Sequence, residues 1–231
     1  MGFLDFLGRN TPSSQPPVLV PAIPVMNGGK DIRVKLMVPK SYLGNIADGP
    51  NGMLTRLGGI VFPYTPTFSH EHKANYNSVN VTHSNYTQYF YKNSSLGEFQ
   101  LAAKFTVQSV DDAAMYLSII NLLRALTKMK FGGEEGSGSP PPICRLYAYG
   151  DFMFNRVPVA VTSFRLDLQN DIDYFSLTGE MSETYGVSTV PVLSTINLTL
   201  IPVYSRNEMQ KATVSGALQG GQGGLVPKGI L

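Results

Sequence analysis

The stretch from Glu98 to Val107 alternates in character: Phe99, Leu101, Ala103, Phe105 and Val107 are apolar, while Glu98, Gln100, Lys104 and Thr106 between them are polar. A period of two is what a strand with one buried and one wet face requires, because successive side chains point to opposite sides of the sheet. The same pattern recurs in Ile32, Val34, Leu36 and Val38, in Phe164, Leu166 and Leu168, and in Ser194, Ile196, Leu198 and Leu200. Shorter runs at residues 59–64, 143–149 and 174–181 join them. Only residues 111–130 carry a long helical period. There Met115, Tyr116, Ile119, Ile120, Leu122, Leu123, Leu126 and Met129 fill one side, and Asn121, Arg124 and Lys128 the other. Ser109 is placed to cap this helix, Asp111 and Asp112 suit its first turn, and Phe131-Gly132-Gly133 ends it. A shorter helix is expected after Ser205, through Asn207 to Ala212. The expectation is a mainly β domain with one helix laid on a sheet.

Residues 67–93 do not fit an ordinary core. Phe68, His70, His72, Ala74 and Tyr76 alternate with Ser69, Glu71, Lys73, Asn75 and Asn77, and Val79, Val81, Tyr86, Tyr89, Phe90 and Tyr91 follow amid Asn, Thr, Ser and Gln. An extended segment with polar groups on much of both faces is a long exposed edge unless other copies of the chain complete it.

The ends differ from the middle. Residues 1–30 hold a short apolar peptide (Phe3, Leu4, Phe6, Leu7) and then a proline-rich stretch, which reads as an extended arm. Residues 216–231 form a Gly- and Gln-rich tail that closes on Ile230 and Leu231. A single domain over 31–215 is expected between them, with the apolar ends docking on neighbours.

Composition narrows the function. With 18 Lys plus Arg against 16 Asp plus Glu, the net charge of +2 supplies no strong field for nucleic acid or anionic lipid. One cysteine, Cys144, excludes an intrachain disulfide framework and Cys-rich metal sites, and points to a reducing compartment. The first residues lack the basic start and long apolar run of a secretory signal, and no run approaches the ~18 apolar residues of a membrane span. The four sequons, at Asn80, Asn85, Asn93 and Asn197, then read as polar strand faces.

Catalytic constellations do not assemble. His70 and His72 share a strand face, with His83 the third histidine, yet no carboxylate spacing supports a metal, and packing or interface roles fit better. Cys144 lies inside a strand-like run with no partner base, and the chain has no G-x-S-x-G turn. The glycine-rich 132–139 stretch lacks the Gly-Lys-Ser/Thr ending of a phosphate loop and carries Glu134 and Glu135. Asp171 and Asp173 read equally well as turn residues. No enzyme, cofactor or metal is expected.

Several short motifs in a fixed order give the chain a resemblance. They are Phe62-Pro63-Tyr64-Thr65-Pro66, His72 to Tyr76, His83-Ser84-Asn85-Tyr86, the helix end from Leu122 to Gly132, the three prolines before Ile143, and Asp171 to Phe175 followed by Pro191. Over roughly residues 55–204 the chain resembles the tail-tube-fold baseplate proteins of contractile-tailed bacteriophages, the tube initiators. The resemblance implies a β-sandwich or open barrel with one flanking helix, assembled as a homohexameric ring in the virion's tail baseplate. It implies long hairpins that join an inner barrel between subunits, around a lumen through which DNA passes transiently and without specificity. The implied partners are the ring itself, the hub or spike protein on one face, and the tail tube or a second initiator ring on the other, with no membrane. Under this reading His70, His72, Lys73, Asn75, Asn77, Asn80, Thr82, His83, Asn85 and Tyr86 are the interface or lumen candidates. Phe3, Leu4, Phe6, Leu7, Ile230 and Leu231 are the docking residues of the arms. The alternatives are a tube subunit of a phage tail or phage-like injection machine, a glycan-binding β-sandwich suggested by twelve tyrosines, and, last, a hydrolase using His70 and His72.

Overall fold

The structure is a computed structural model that describes residues 33–43, 52–132, 137–150, 153–177, 188–211 and 214. The strands are β1 (Lys35–Met37), β2 (Gly59–Val61), β3 (Thr67–Ser69), β4 (His72–Val79), β5 (Gln88–Leu96), β6 (Phe99–Thr106), β7 (Cys144–Ala148), β8 (Phe154–Asp167), β9 (Tyr174–Ser176), β10 (Thr189–Pro191) and β11 (Leu193–Pro202). The helices are α1 (Lys40–Leu43), α2 (Gly52–Leu57), α3 (Val110–Leu126) and α4 (Arg206–Lys211). The fold is mainly β, as the alternation predicts.

Among the described residues seven strands form one sheet in the order β2-β1-β7-β8-β11-β6-β3, antiparallel throughout. A long pairing in it joins β11 to β6, from Leu193 opposite Thr106 to Leu200 opposite Phe99. The register puts Phe99, Leu101, Ala103 and Phe105 on the same face as Ser194, Ile196, Leu198 and Leu200, and that face is buried. Each fully buried Leu, Ile or Phe contributes roughly 1.5–3 kcal/mol relative to exposure. Helix α3 covers this face with Ile119, Leu122, Leu123 and Leu126, and the Phe105 and Tyr116 rings meet at 6.0 Å. Its N-terminus carries a capping box: the Ser109 Oγ accepts from the Asp112 N–H, and the Asp112 carboxylate accepts from the Ser109 N–H, both at 3.2 Å.

Three expectations need correction. The helix stops at Leu126 rather than near Lys130, and Met129 is half exposed instead of facing the core. The Thr127 hydroxyl donates to the Arg124 carbonyl, and the chain then turns into a short ladder in which the Lys130 N–H donates to Ser139 and the Gly138 N–H to Lys130. Strand β8 starts at Phe154, well before the alternation near Ser163. Its first half is hidden in sequence because Pro158 interrupts the alternation and Arg156 takes a left-handed backbone (φ 59°) where β7 and β8 slip register. Helices α1 and α2 have no periodic signature. They pack near α3, and the Tyr42 hydroxyl donates to the end of α3 at the Ala125 and Lys128 carbonyls, 3.1 Å from each.

Candidate assembly surface

Strands β3 and β6 are prolonged beyond the sheet as β4 and β5. The β3–β6 ladder pairs Ser69 with Gln100, and the β4–β5 ladder starts from His72 opposite Leu96, so the pairing slips at the root between them. The Gly97 N–H donates to the Glu71 carbonyl at 2.7 Å across this break. A side chain at Gly97 would have its Cβ 3.0 Å from that carbonyl oxygen, which explains the glycine. Beneath the root, Phe68, Phe99 and Phe154 form an aromatic cluster with centroids 4.8 to 5.6 Å apart. His70 stands edge-on to Phe154 at 5.3 Å and to His72 at 5.3 Å. Tyr149 adds its ring at 6.2 Å from Phe68, and its hydroxyl donates to the Pro66 carbonyl at 3.0 Å. Burial pushes this phenol above its ordinary pKa.

Beyond the root the hairpin is exposed along nearly its whole length. Its pairing runs from Asn75 opposite Asn93 directly to Tyr76 opposite Tyr91, so Lys92 is an extra residue, a bulge in β5. The bulge sorts the side chains. One face carries Lys73, Asn75, Asn77 and Val79 with Gln88, Phe90, Asn93 and Ser95. Asn75 Nδ2 donates to Asn93 Oδ1 at 3.1 Å and to Ser95 Oγ at 3.3 Å on that face. The other carries His72, Ala74, Tyr76 and Ser78 with Tyr89, Tyr91, Ser94 and Leu96, and the Tyr76 and Tyr91 rings meet edge to face at 5.7 Å. Polar groups stand on much of both faces, as expected, but unevenly: one face is mainly polar, with Val79 and Phe90 among it, and the other carries the tyrosines beside His72, Ser78 and Ser94.

The two faces continue those of the sheet. Leu96, on the tyrosine face, packs against the core, so this face lies on the core side. The polar face runs on into the outer side of β6, β11 and β8, which shows Gln100, Lys104 and Thr106, then Thr195, Asn197 and Thr199, then Ser163, Arg165 and Asp167. Charges on this surface are largely matched: Lys73 pairs with Glu71 at 2.9 Å, and Arg165 pairs with Asp167 at 2.8 Å, whose other oxygen accepts from Asn197.

The candidate residues thus divide. Lys73, Asn75 and Asn77 lie on the polar face. Asn80, Thr82, His83, Asn85 and Tyr86 form the tip, where His83 adopts φ 61° and the Thr87 hydroxyl donates to Asn80 Oδ1 at 2.8 Å. His70 and His72 belong to the root and its aromatic stack, apart from the polar face. The polar residues of β6, β8 and β11 were missed as surface candidates, although their alternation with buried residues marks them. The arm residues Phe3, Leu4, Phe6, Leu7, Ile230 and Leu231 lie outside the described residues, as do residues 133–136 of the glycine-rich loop.

Reactive chemistry is sparse. Among the described residues no three His, Cys, Asp or Glu side chains are grouped to hold a metal. Cys144 is buried, and desolvation pushes its thiol up to about 12. Among those residues no helix is long and apolar enough to cross a membrane. No protein-family model matches the chain, and no curated protein matches it either.

Proposed function

We propose that this chain is a ring-forming structural protein, a baseplate tube initiator of a contractile phage tail, with no enzymatic role. The observation that carries the reading is the β4–β5 hairpin. It stands off the sheet, attached at one root, with tyrosines on one side and asparagines on the other. A two-stranded ribbon alone is marginal in water, and Tyr76, Tyr89 and Tyr91 are 58%, 69% and 58% exposed in the single chain. Neighbouring copies completing a ring would bury the tyrosines and leave the asparagines on a lumen.

The wall such a lumen would have is uncharged or charge-paired over most of its surface. Affinity for DNA arises from clustered Lys and Arg that displace counterions, so a wall of Asn, Gln, Ser and Thr lets a duplex pass without holding it. Three of the six motifs behind the resemblance fall on or lead into the hairpin: Phe62 to Pro66 leads from β2 to β3, His72 to Tyr76 lies in β4, and His83 to Tyr86 lies in the tip. The ring's two faces would meet the hub or spike and the tail tube or a second initiator ring.

Light scattering of the purified protein across concentration, alone and with the hub protein, followed by electron microscopy, tests the reading. Finite rings with an open lumen are expected. Long tubes from the protein alone would identify a tube subunit instead, and a monomer that stays monomeric with hub present would overturn the assembly reading.

A further inference from the structure

His70 and His72 stand one residue apart where β3 gives way to β4, and their rings meet on one side of the chain with centroids 5.3 Å apart and planes at 84°. Both residues are exposed, and among the described residues neither ring takes part in a hydrogen bond. Their ring nitrogens are thus uncommitted. The spacing is also the one that a shared metal ion requires. With a metal–nitrogen bond of about 2.0–2.1 Å, and each nitrogen about 1.1 Å from its ring's centre, two imidazoles at about 109° around a tetrahedral ion hold their centroids about 5.2 Å apart. Rotation about the Cβ–Cγ bond leaves the ring centre in place, and for histidine this torsion is soft. A nitrogen of each ring can therefore be turned to a common point without moving the backbone.

We infer that His70 and His72 form a two-nitrogen site for a borderline divalent cation of the zinc type, which clamps the root of the β4–β5 hairpin. Imidazole suits zinc, copper and nickel, whereas a hard cation such as magnesium prefers oxygen. Among the described residues no third His, Cys, Asp or Glu joins the pair, so water completes the coordination and the site is neither catalytic nor a closed structural centre. Its position gives it a mechanical role. Glu71, between the two ligands, accepts the Gly97 N–H on its carbonyl at 2.7 Å where the β3–β6 and β4–β5 ladders slip past each other, and its carboxylate is held by Lys73. An ion bound to both neighbours of Glu71 fixes the backbone at this slip, and with it the angle at which the hairpin leaves the sheet. The rings of Phe68, Phe99 and Phe154, with centroids 5.9, 6.1 and 5.3 Å from that of His70, shield one side of the site from water. The clamp belongs to the single chain and stands whether or not copies form rings.

Zinc binding to the untagged full-length protein, measured by competition with a chromophoric chelator at a concentration where the chain is monomeric, tests the site, with magnesium as the control cation. One zinc per chain is expected below about 100 µM, and no magnesium. His70→Asn and His72→Asn should each weaken binding at least about tenfold, because changes to the outer-shell partners of a metal ligand alone cost about 10–100-fold. His83→Asn, at the hairpin tip, should leave it unchanged. In the wild type, zinc should slow amide exchange over residues 69–74 and 95–99 at least about threefold while leaving the tip unaltered, a readout that needs no substitution. Absence of zinc binding in that range, binding that survives either root substitution, or binding that requires His83 would overturn the site. Zinc bound through His70 and His72 without slower exchange at the root would overturn the clamp.

Discussion

Replacing Tyr76, Tyr89 and Tyr91 together by serine should abolish assembly while leaving the subunit folded. The three side chains are 58%, 69% and 58% exposed and share the core-side face of the hairpin. At about 200 Å² per aromatic ring they offer about 370 Å² to a neighbour. Burying that area is worth at most about 9 kcal/mol at about 25 cal/mol per Å². Much of it is offset by lost freedom on association, so a net loss of about 4 kcal/mol per interface, about a thousandfold in affinity, is the expectation. The subunit itself should change little, because the only ring contact within this set is that of Tyr76 with Tyr91, and exposed substitutions usually move stability by about 0.5 kcal/mol or less. Light scattering across concentration measures the first quantity, and urea unfolding at a concentration where the wild type is monomeric measures the second. A triple variant that assembles at the wild-type concentration would refute the tyrosine face as the contact. A variant that unfolds several kcal/mol earlier would show that these residues serve the subunit's own core.

Two further outcomes test the fold. Gly59→Ala should destabilise by about 2–5 kcal/mol in urea unfolding, since φ is +152° and a Cβ there would lie 2.2 Å from the Leu36 carbonyl oxygen, forcing β1 and β2 apart. The Cys144 thiol, raised from 9.0 to about 12 by burial, keeps its proton in the folded state, so its contribution is complete below pH 9 and is lost as pH rises toward 12. Stability should fall by about 1.4 kcal/mol per pH unit over that window relative to Cys144→Ala. Alkylation of Cys144 at pH 8 should be slow and track global unfolding; rapid modification of the folded chain would show the thiol to be accessible.

The core was legible because alternation and burial coincide. Phe99 to Val107 and Ser194 to Leu200 each bury every second residue, and α3 buries the apolar side that its period marks. The hairpin was legible as an oddity but its two faces were not. Counting by twos along β5 puts Asn93 with Tyr89 and Tyr91, and makes both faces mixed. The bulge at Lys92 shifts the count by one, so Asn93 and Ser95 join Asn75 and Asn77 while the tyrosines stay together. A bulge of this kind has no residue signature of its own, since Lys92 is neither glycine nor proline. The first half of β8 was hidden for a related reason: Pro158 and the left-handed Arg156 break a pattern that the ladder with β7 nevertheless tolerates. A packing role for His70 and His72 was legible in outline, since they share a strand face with Phe68 and Tyr76. Their place at the root follows only from the tertiary meeting with Phe154, whose position in the chain is remote.

If the asparagine face and the outer side of β6, β8 and β11 line a lumen, their sparse and largely paired charge is a functional property that substitution can reverse. Gln100→Lys and Asn77→Lys place one cation on the sheet and one on the hairpin, both on the polar surface and both at exposed positions. Repeated around a ring, they turn a neutral wall into a basic one. Each added lysine that reaches a phosphate should steepen the dependence of log K on log salt by about 0.9 for duplex DNA, so binding that is weak in the wild type becomes strong at low salt and fades as salt rises. Fluorescence anisotropy with a short duplex, measured on assembled rings and on monomer at the same subunit concentration, separates a lumen from an ordinary surface. The gain should be large for rings, where the charges converge on one axis, and small for monomers, where two cations stand alone. Equal gains in both would mean that the asparagine face does not turn inward, and no gain in either would remove electrostatic neutrality as the reason for this surface's composition.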